Sequence, residues 1–508
     1  MQTSPGSGGA LPALHSSHTE SEDMQQSVFN VRVPLPDGSG VFLLNTLTDA
    51  QAILPAEAAA LLDRVGRIDA AEMAALPADE REVVRELTDN GFIVEARARE
   101  SEALEAHFRQ VHESTDVMRV TVLTTLRCNF ACDYCYQGDH NGNAECRMPN
   151  AEGENMSMES AARVGDWLEE QLDAVRPKKL SLLFFGGEPL LNLPVVYALA
   201  ARASHAARER GIENEITIIT NGLLLTREIV ERLLPCGLAG IKVTLDGDRE
   251  THDRMRPLRG GQPTFDRIVR NIREIADLCP VSIGGNFDER SVDSYPALLE
   301  YLSAQEFSRH IARVSFKPIV RDKSRSRAPK GAIPLAVVDP LGKPLNGSTC
   351  SAMAGAGGGT ACDACGLMDE KMSWLREETK RYGFATTDGV HMGPCDIHRK
   401  HAYTIGPDGS LYACPGFTGN KAQSTGHIDG RRDTARQRAS SAFERLSAWT
   451  ECRDCAFIPV CAGGCTVAAH AELGDINQPN CHKRSFEEGV AALAREAAAT
   501  AFVPAPVS

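Results

Sequence analysis

No stretch of this sequence holds enough consecutive apolar residues to span a bilayer, and the polar opening Met1-Gln-Thr-Ser-Pro lacks the basic and apolar regions of a secretory signal. No membrane partner is expected, and a cytoplasmic setting is. Positive charge is also in deficit, with 54 Lys and Arg against 68 Asp and Glu and a net charge of −14. Nucleic acid and anionic membrane both demand a basic surface, so that balance argues against either as the main partner and leaves a small peptide open. What the chain has in plenty is cysteine. Sixteen of its 508 residues are Cys, many in C-x2-C or C-x3-C pairs, which in a reducing compartment read as metal or cluster ligands rather than disulfides. The length, with 42% hydrophobic residues, predicts a globular protein of two or three domains.

Residues 1–27 are rich in Ser, Gly, His and Glu without apolar periodicity and are expected to be disordered. Over 28–98 the pattern changes to strand-like Val28–Val33 and Val41–Leu44, helix-like Pro55–Val65 and Ala78–Asp89, and a closing strand Gly91–Val94. That order predicts a small winged-helix-like unit, followed by a linking helix over 99–113. From 115 to 320 the pattern repeats strand then helix. Strands are expected at 118–124, 180–185, 215–220, 240–245, 281–286 and 312–318, with helices at 157–175, 193–210, 226–235, 264–277 and 293–303 between them. Six parallel strands with crossover helices predict an α/β fold, a partial (β/α)6 barrel whose loops after the strands build the active site. Residues 321–394 read as an insertion or bridging region, flexible over 321–365, and 395–485 as a cysteine-rich domain. Residues 486–508 read as a closing helix and tail.

The first barrel strand runs into Leu126-Arg-Cys-Asn-Phe-Ala-Cys-Asp-Tyr-Cys-Tyr136, which places Cys128, Cys132 and Cys135 in the spacing C-x3-C-x2-C. A four-iron cubane on three cysteines leaves one iron open to a small molecule, whereas a tetrahedral zinc site would need a fourth ligand such as His140 or Cys146. The second strand ends in Phe184-Phe-Gly-Gly-Glu-Pro189, where two glycines permit close backbone approach and a carboxylate can accept from an ammonium group. A plain strand-ending turn is the alternative. Thr220-Asn-Gly222 ends the third strand, and the fourth leads into Thr244 and, after a polar run, Arg256. Near the C-terminus Cys395, Cys414, Cys452-x2-Cys455-x5-Cys461-x3-Cys465 and Cys481 form a seven-cysteine array. Cys236 and Cys279, beside helix ends, read as small buried hydrophobes, and Cys146 has no assigned role.

The three-cysteine loop, with Tyr134 before its last cysteine, resembles the cluster loop of the radical S-adenosylmethionine (SAM) enzymes. The resemblance implies a [4Fe-4S] cluster on Cys128, Cys132 and Cys135 whose open iron chelates SAM. It further implies Tyr134 against the adenine, Gly187 and Glu188 at the amino group, and Thr244 and Arg256 on SAM. The distal array is similar to the SPASM domain, which implies two auxiliary [4Fe-4S] clusters. One would sit on Cys452, Cys455, Cys461 and Cys481. The other would sit on Cys395, Cys414 and Cys465, with Cys350, Cys362 or Cys365 as fourth ligand or with one iron left open to a substrate thiolate. Spacing alone equally allows two zinc sites. The 28–98 unit resembles a precursor-recognition element of the PqqD type, which binds a leader peptide as an added strand; a structural cap is the alternative.

Together the resemblances imply a radical SAM/SPASM maturase of a ribosomally made precursor peptide. It would draw electrons from a flavodoxin or ferredoxin type donor and make a thioether or carbon–carbon cross-link after hydrogen abstraction. An anaerobic sulfatase-type (formylglycine) maturase is one alternative. Members of that group carry a cysteine shortly before the first of the seven and an Asp base after the Gly-x4-Cys cysteine. Here no cysteine lies just upstream of Cys395, and Pro415, which cannot accept a proton, follows Cys414. A zinc-stapled, non-catalytic peptide-binding scaffold is the other alternative. No residue stands out as a catalytic base.

Overall fold

A computed structural model describes residues 24–135, 154–320 and 363–501, apart from the single positions 69, 388, 392, 432, 433 and 453. The first unit runs β1 (Gln25–Gln26), β2 (Asn30–Pro34), β3 (Gly40–Asn45), β4 (Gln51–Pro55), α1 (Ala56–Val65), α2 (Ala70–Ala74), α3 (Ala78–Asp89) and β5 (Ile93–Val94). Strands β2, β3 and β4 form an antiparallel meander, and Leu43, Leu54, Leu62, Val84 and Leu87 bury the helices against it. Two expectations are corrected here. β5 does not join that sheet but pairs with β1 in a separate two-stranded sheet. Order also begins before residue 28: Met24 packs on the unit's core, and Ser27 Oγ donates to the buried Glu100 carboxylate at 2.6 Å. Glu100 belongs to α4 (Arg97–Glu113), the linking helix.

The central body follows as β6 (Val117–Leu123), α5 (Met158–Val175), β7 (Lys179–Phe185), α6 (Leu193–Glu209), β8 (Glu213–Thr220), α7 (Arg227–Leu233), β9 (Leu238–Thr244), α8 (Arg249–Met255), α9 (Phe265–Ile275), β10 (Val281–Phe287), α10 (Tyr295–Ser303) and β11 (Ile311–Pro318). The six strands are parallel and adjacent in chain order, each joined to the next through helices, as a right-handed βα series requires. Burial alternates along them. Met118, Val120, Val122, Leu182, Phe184, Ile216, Ile218, Ile241, Val243 and Ile283 face the helices and are buried, while the residues between them form a less buried inner face. Expected and observed strands agree to within a few residues. Helix α8 was not anticipated, because Arg-Glu-Thr-His-Asp-Arg-Met has no apolar stripe; it is nucleated by Asp248, whose carboxylate accepts from Thr251 N at 2.9 Å.

The last part comprises α11 (Asp363–Arg381), β12 (Ala402–Ile405), β13 (Ser410–Tyr412), β14 (Ser424–His427), α12 (Thr434–Glu444), α13 (Ile458–Cys461), α14 (Thr466–Leu473) and α15 (Lys483–Ala501). Helix α11 falls inside the presumed insertion, and Leu375 (1% exposed) anchors it to the core. Strand β12 pairs in parallel with β6, and β13 and β14 follow as antiparallel neighbours, so one nine-stranded sheet runs from β11 through β6 to β14. The cysteine-rich segment therefore grows from the open edge of the barrel sheet beside its first strand. Among the described residues, no helix is long and apolar enough to cross a membrane.

Candidate functional site

The loops after β6 and β7 are zipped together. Gly187 N donates to Thr125 O and Glu188 N to Arg127 O, each at 2.9 Å. A Cβ on Gly186 or Gly187 would overlap the Thr125 or Arg127 carbonyl, so what these glycines admit is the backbone of the cysteine loop. Within that loop Phe130 is 1% exposed and anchors the turn, and its N–H points at Cys128 Sγ at 3.4 Å. Asn221, after β8, donates from Nδ2 to Asn129 Oδ1 at 2.7 Å and lies 3.8 Å from Cys128 Sγ. Cys128, Cys132 and Cys135 lie close enough for their charges to act on one another. Burial pushes Cys132 up to about 12, against the pull of the Arg256 charge, and raises Cys128 as well. Thiols so placed stay protonated until a metal displaces the protons.

Glu188 is fully buried. Its carboxylate accepts from Thr220 Oγ1 at 2.7 Å, Asn221 N at 2.8 Å and Leu190 N at 3.0 Å. Burial raises its pKa while these donors and Arg256 lower it. The carboxylate expected to face a ligand's ammonium group thus ties the ends of β7 and β8 together.

Across the barrel mouth, a buried polar knot joins three strand ends to the cysteine loop. The Tyr134 hydroxyl donates to Asp246 Oδ2 and accepts from Arg256 Nη1 at 2.5 Å and from Asn286 Nδ2 at 3.3 Å. Asp246, 0% exposed, pairs with Arg256 Nη1 at 3.4 Å and accepts from Asn286 N at 2.7 Å. Its own N–H donates to His252 Nδ1 at 3.1 Å, which leaves His252 Nε2 to donate to Thr264 Oγ1. Burial holds His252 well below its ordinary value and hence neutral. Arg256 lies 5.4 Å from the Phe130 ring centroid, and its Nε is buried without a hydrogen-bond partner. Thr244 is half-buried on the inner face two residues before Asp246. Asp246, Asn286 and His252 escaped the sequence reading. The one signal was an acidic residue directly at the end of a strand whose other residues are apolar or aimed inward.

The distal cysteines fall into two sets. Cys395, Cys414 and Cys465 act electrostatically on one another, and burial pushes Cys414 up to about 12. Cys452, Cys455, Cys461 and Cys481 form the second set, with Cys452 and Cys461 each pushed by burial up to about 12. Gly464, at φ +92°, lets the chain pass against the Asn480 carbonyl, which brings the Cys465 segment beside Cys481. Around the second set pack Phe29, Phe108, Phe457 and Ile458, and Phe108 stacks on Trp449 with ring centroids 4.3 Å apart. Thr46 Oγ1 donates to Ala456 O, so the N-terminal unit docks directly on this set. Cys350, Cys362, His140 and Cys146 lie outside the described residues; Cys365 lies in the first turn of α11, where the structure describes only backbone. Cys279 is buried in the core and Cys236 packs against it, as small hydrophobes do. Among the described residues, no three His, Cys, Asp or Glu side chains converge as a site for one metal ion.

Residues 122–290 match the family model of the radical SAM superfamily. The chain is 30% identical over 216 residues to an Fe-coproporphyrin III synthase of Methanosarcina barkeri, a match covering 42% of this chain and 47% of that protein. The chain thus spans about half the length of that relative. A serine-type anaerobic sulfatase-maturating enzyme of Bacteroides thetaiotaomicron is 25% identical over 359 residues, 66% of this chain and 80% of that one. The fold is shared with native anSMEcpe with bound AdoMet, at a TM-score of 0.53 and 14% identity over 76% of this chain and 100% of that one. The same protein solved with a bound Cp18Cys peptide aligns at a TM-score of 0.51, over 76% of this chain and 99% of that one.

Proposed function

We propose, for a chain whose residues 122–290 form a radical SAM domain, that the mouth of the barrel holds a four-iron cluster with SAM and that the enzyme modifies a peptide. Cys128, Cys132 and Cys135 would ligate the cluster and leave one iron to SAM. When bound, that pair supplies an electron and, by reductive cleavage of SAM, a hydrogen-abstracting 5′-deoxyadenosyl radical. The chain's share is to orient, to shield from water and to hold charge.

The observation that carries this reading is Arg256. A guanidinium only 8% exposed, with its Nε lacking any partner, offers a donor edge to an incoming carboxylate such as that of SAM. Tyr134 carries that guanidinium back to the cysteine loop, so cluster and SAM sites are coupled through one hydroxyl. Thr244 on the inner face and the backbone of Gly187 complete the SAM contacts. We assign Glu188, whose oxygens are occupied, to holding the strand ends around the SAM amino group.

A peptide substrate is supported by the sulfatase-maturating relative and by the peptide-bound neighbour. We assign the 28–98 unit to leader recognition and the two distal thiol sets to auxiliary [4Fe-4S] clusters of a SPASM-type domain. These clusters would take up the second electron of an oxidative thioether or carbon–carbon cross-link. An external flavodoxin or ferredoxin type donor would feed the first cluster. A sulfatase-type reaction is the second reading, favoured by the length of that match. Against it, Pro415 stands directly after Cys414 and offers no proton acceptor.

The test is anaerobic purification with metal analysis, followed by dithionite and SAM. Iron with labile sulfide, 5′-deoxyadenosine release by wild type and none by Cys132→Ala are the expected results. Zinc without sulfide, or unchanged turnover in Cys132→Ala, would overturn the assignment. Formylglycine formed in a Cys-x-Pro-x-Arg peptide would move the enzyme to the second reading.

A further inference from the structure

Two inward-facing cations of the barrel strands are paired. Arg119 on β6 meets Asp396 at 3.2 Å, and Lys179 on β7 meets Glu213 at 2.9 Å and also Glu215. Three on the neighbouring strands β9 to β11 meet no carboxylate among the described residues. Their placement follows from register: Ser282 of β10 lies opposite both Lys242 of β9 and Arg313 of β11, and Asn286 lies opposite Lys317. Ile241, Val243, Ile283 and Val314 on the same strands are buried toward the helices, so the residues alternating with them point inward. Lys242 confirms this by its path. A Cβ built on Gly284 would collide with Lys242 Cε and lie 3.3 Å from Nζ, so the lysine stem crosses the inner face of β10 where glycine leaves room. Its ammonium is therefore carried past Gly284, one inward position below Asn286, which belongs to the Tyr134–Asp246–Arg256 knot.

No carboxylate among the described residues lies within ion-pair distance of Lys242, Arg313 or Lys317. Burial and the charges of Lys317 and Arg313 push the Lys242 pKa down, as expected of like charges gathered without a carboxylate between them, while the Lys317 charge also reaches Cys414. Like charges gathered on one sheet face disfavour one another, and a half-buried lysine adds a desolvation cost. In a chain of net charge −14, a cationic patch made of half-buried Lys242 with exposed Arg313 and Lys317 attracts anions there. Ser282 and Ser315 on the same face add hydroxyl donors.

We propose that Lys242, Arg313 and Lys317 form an anion subsite on the inner face of β9 to β11 that receives a carboxylate of the peptide substrate and so fixes which carbon faces the radical source. The inference rests on the proposal that the substrate is a peptide. The carboxylate has two sources, an Asp or Glu side chain or the free C-terminus, and either would bind through charge-assisted hydrogen bonds at the depth of Gly284. Its occupant would relieve the repulsion among the three cations and restore the Lys242 pKa.

Random synthetic nonapeptide pools, one with free C-termini and one amidated, would be captured on the anaerobically reconstituted full chain with SAM and read by mass spectrometry. The expected result is an excess of about tenfold of Asp or Glu at one position, or of the free-terminus pool over the amidated one, falling as salt rises. Lys242→Met, which keeps the apolar stem, and the exposed Lys317→Gln should each erase the excess, with unchanged circular dichroism. A captured pool with no carboxylate excess, or an excess surviving both substitutions, would overturn the subsite and leave the peptide reading standing, whereas no capture at all would overturn both. Dithionite-driven SAM cleavage by wild type, measured alongside without peptide, separates this failure from failure of the radical SAM reading.

Discussion

Asp246 and Arg256 are both out of water, and a buried ion pair seldom adds stability, because desolvation cancels most of the attraction. Its use here is geometric. Asp246 is held at its backbone by His252 and at its side chain by Asn286, so it fixes both the guanidinium and the Tyr134 phenol. Removing one partner leaves the other charge buried and alone: Asp246→Ala should lower unfolding free energy by about 3–5 kcal/mol in urea titrations. Tyr134→Phe removes only a hydroxyl and should cost about 1 kcal/mol, yet weaken SAM binding measured by calorimetry on the reconstituted protein. Histidines give a pH signature. Burial, with His112 and Arg399 nearby, holds His398 down at about 4, and His252 also lies well below its ordinary value. A depressed folded pKa means that stability is complete above the unfolded value of about 6.5 and is lost as pH falls toward 4. Thermal midpoints should drop across that window, and less so in His398→Asn.

At the scale of elements, the site is made by loops pressed together where side chains would prevent contact. Gly187→Ala would force a methyl into the Arg127 carbonyl and push the three-cysteine loop away from β7. On the proposed cluster assignment, the expected outcome is loss of the iron held by Cys128, Cys132 and Cys135 with that of the distal thiols retained, read by iron counting and electron paramagnetic resonance. Gly464→Ala puts the same clash, at positive φ, against Asn480 O and should remove distal iron instead. The contrast between the two glycines tests whether the thiol sets are loaded independently. The N-terminal unit reaches the distal set through α4, where Phe108 stacks on Trp449, so Phe108→Ala should cost about 3 kcal/mol or more and loosen both.

Over the whole molecule, the nine-stranded sheet makes barrel and distal cysteines one structure, since β12 lies directly on β6, the strand that delivers Cys128. Much of the architecture was legible beforehand. Period-two burial with 3.6-residue helices is written locally, so the six strands, their helices and the three-cysteine loop follow from neighbouring residues alone. The grouping of the distal thiols was implied by the family resemblance alone, since Cys395, Cys414 and Cys465 stand far apart in the sequence. What was not legible depends on distant pairings. Nothing near Ala402 announces that it will extend the barrel sheet, and Gln25–Gln26 becomes a strand only because Ile93–Val94 passes beside it. Glu188 reads as a ligand in its motif and becomes a strand tie once Thr220 and Asn221 arrive. Asp246, Asn286 and the cations Lys242, Arg313 and Lys317 acquire meaning only when parallel strands set their registers side by side. The sequence by itself determined most of the elements and the chemistry of the side chains they carry, which depend on local periodicity and residue type. Tertiary structure alone decided which charges are paired and which donor is left free, because a counterion is a matter of distance through space.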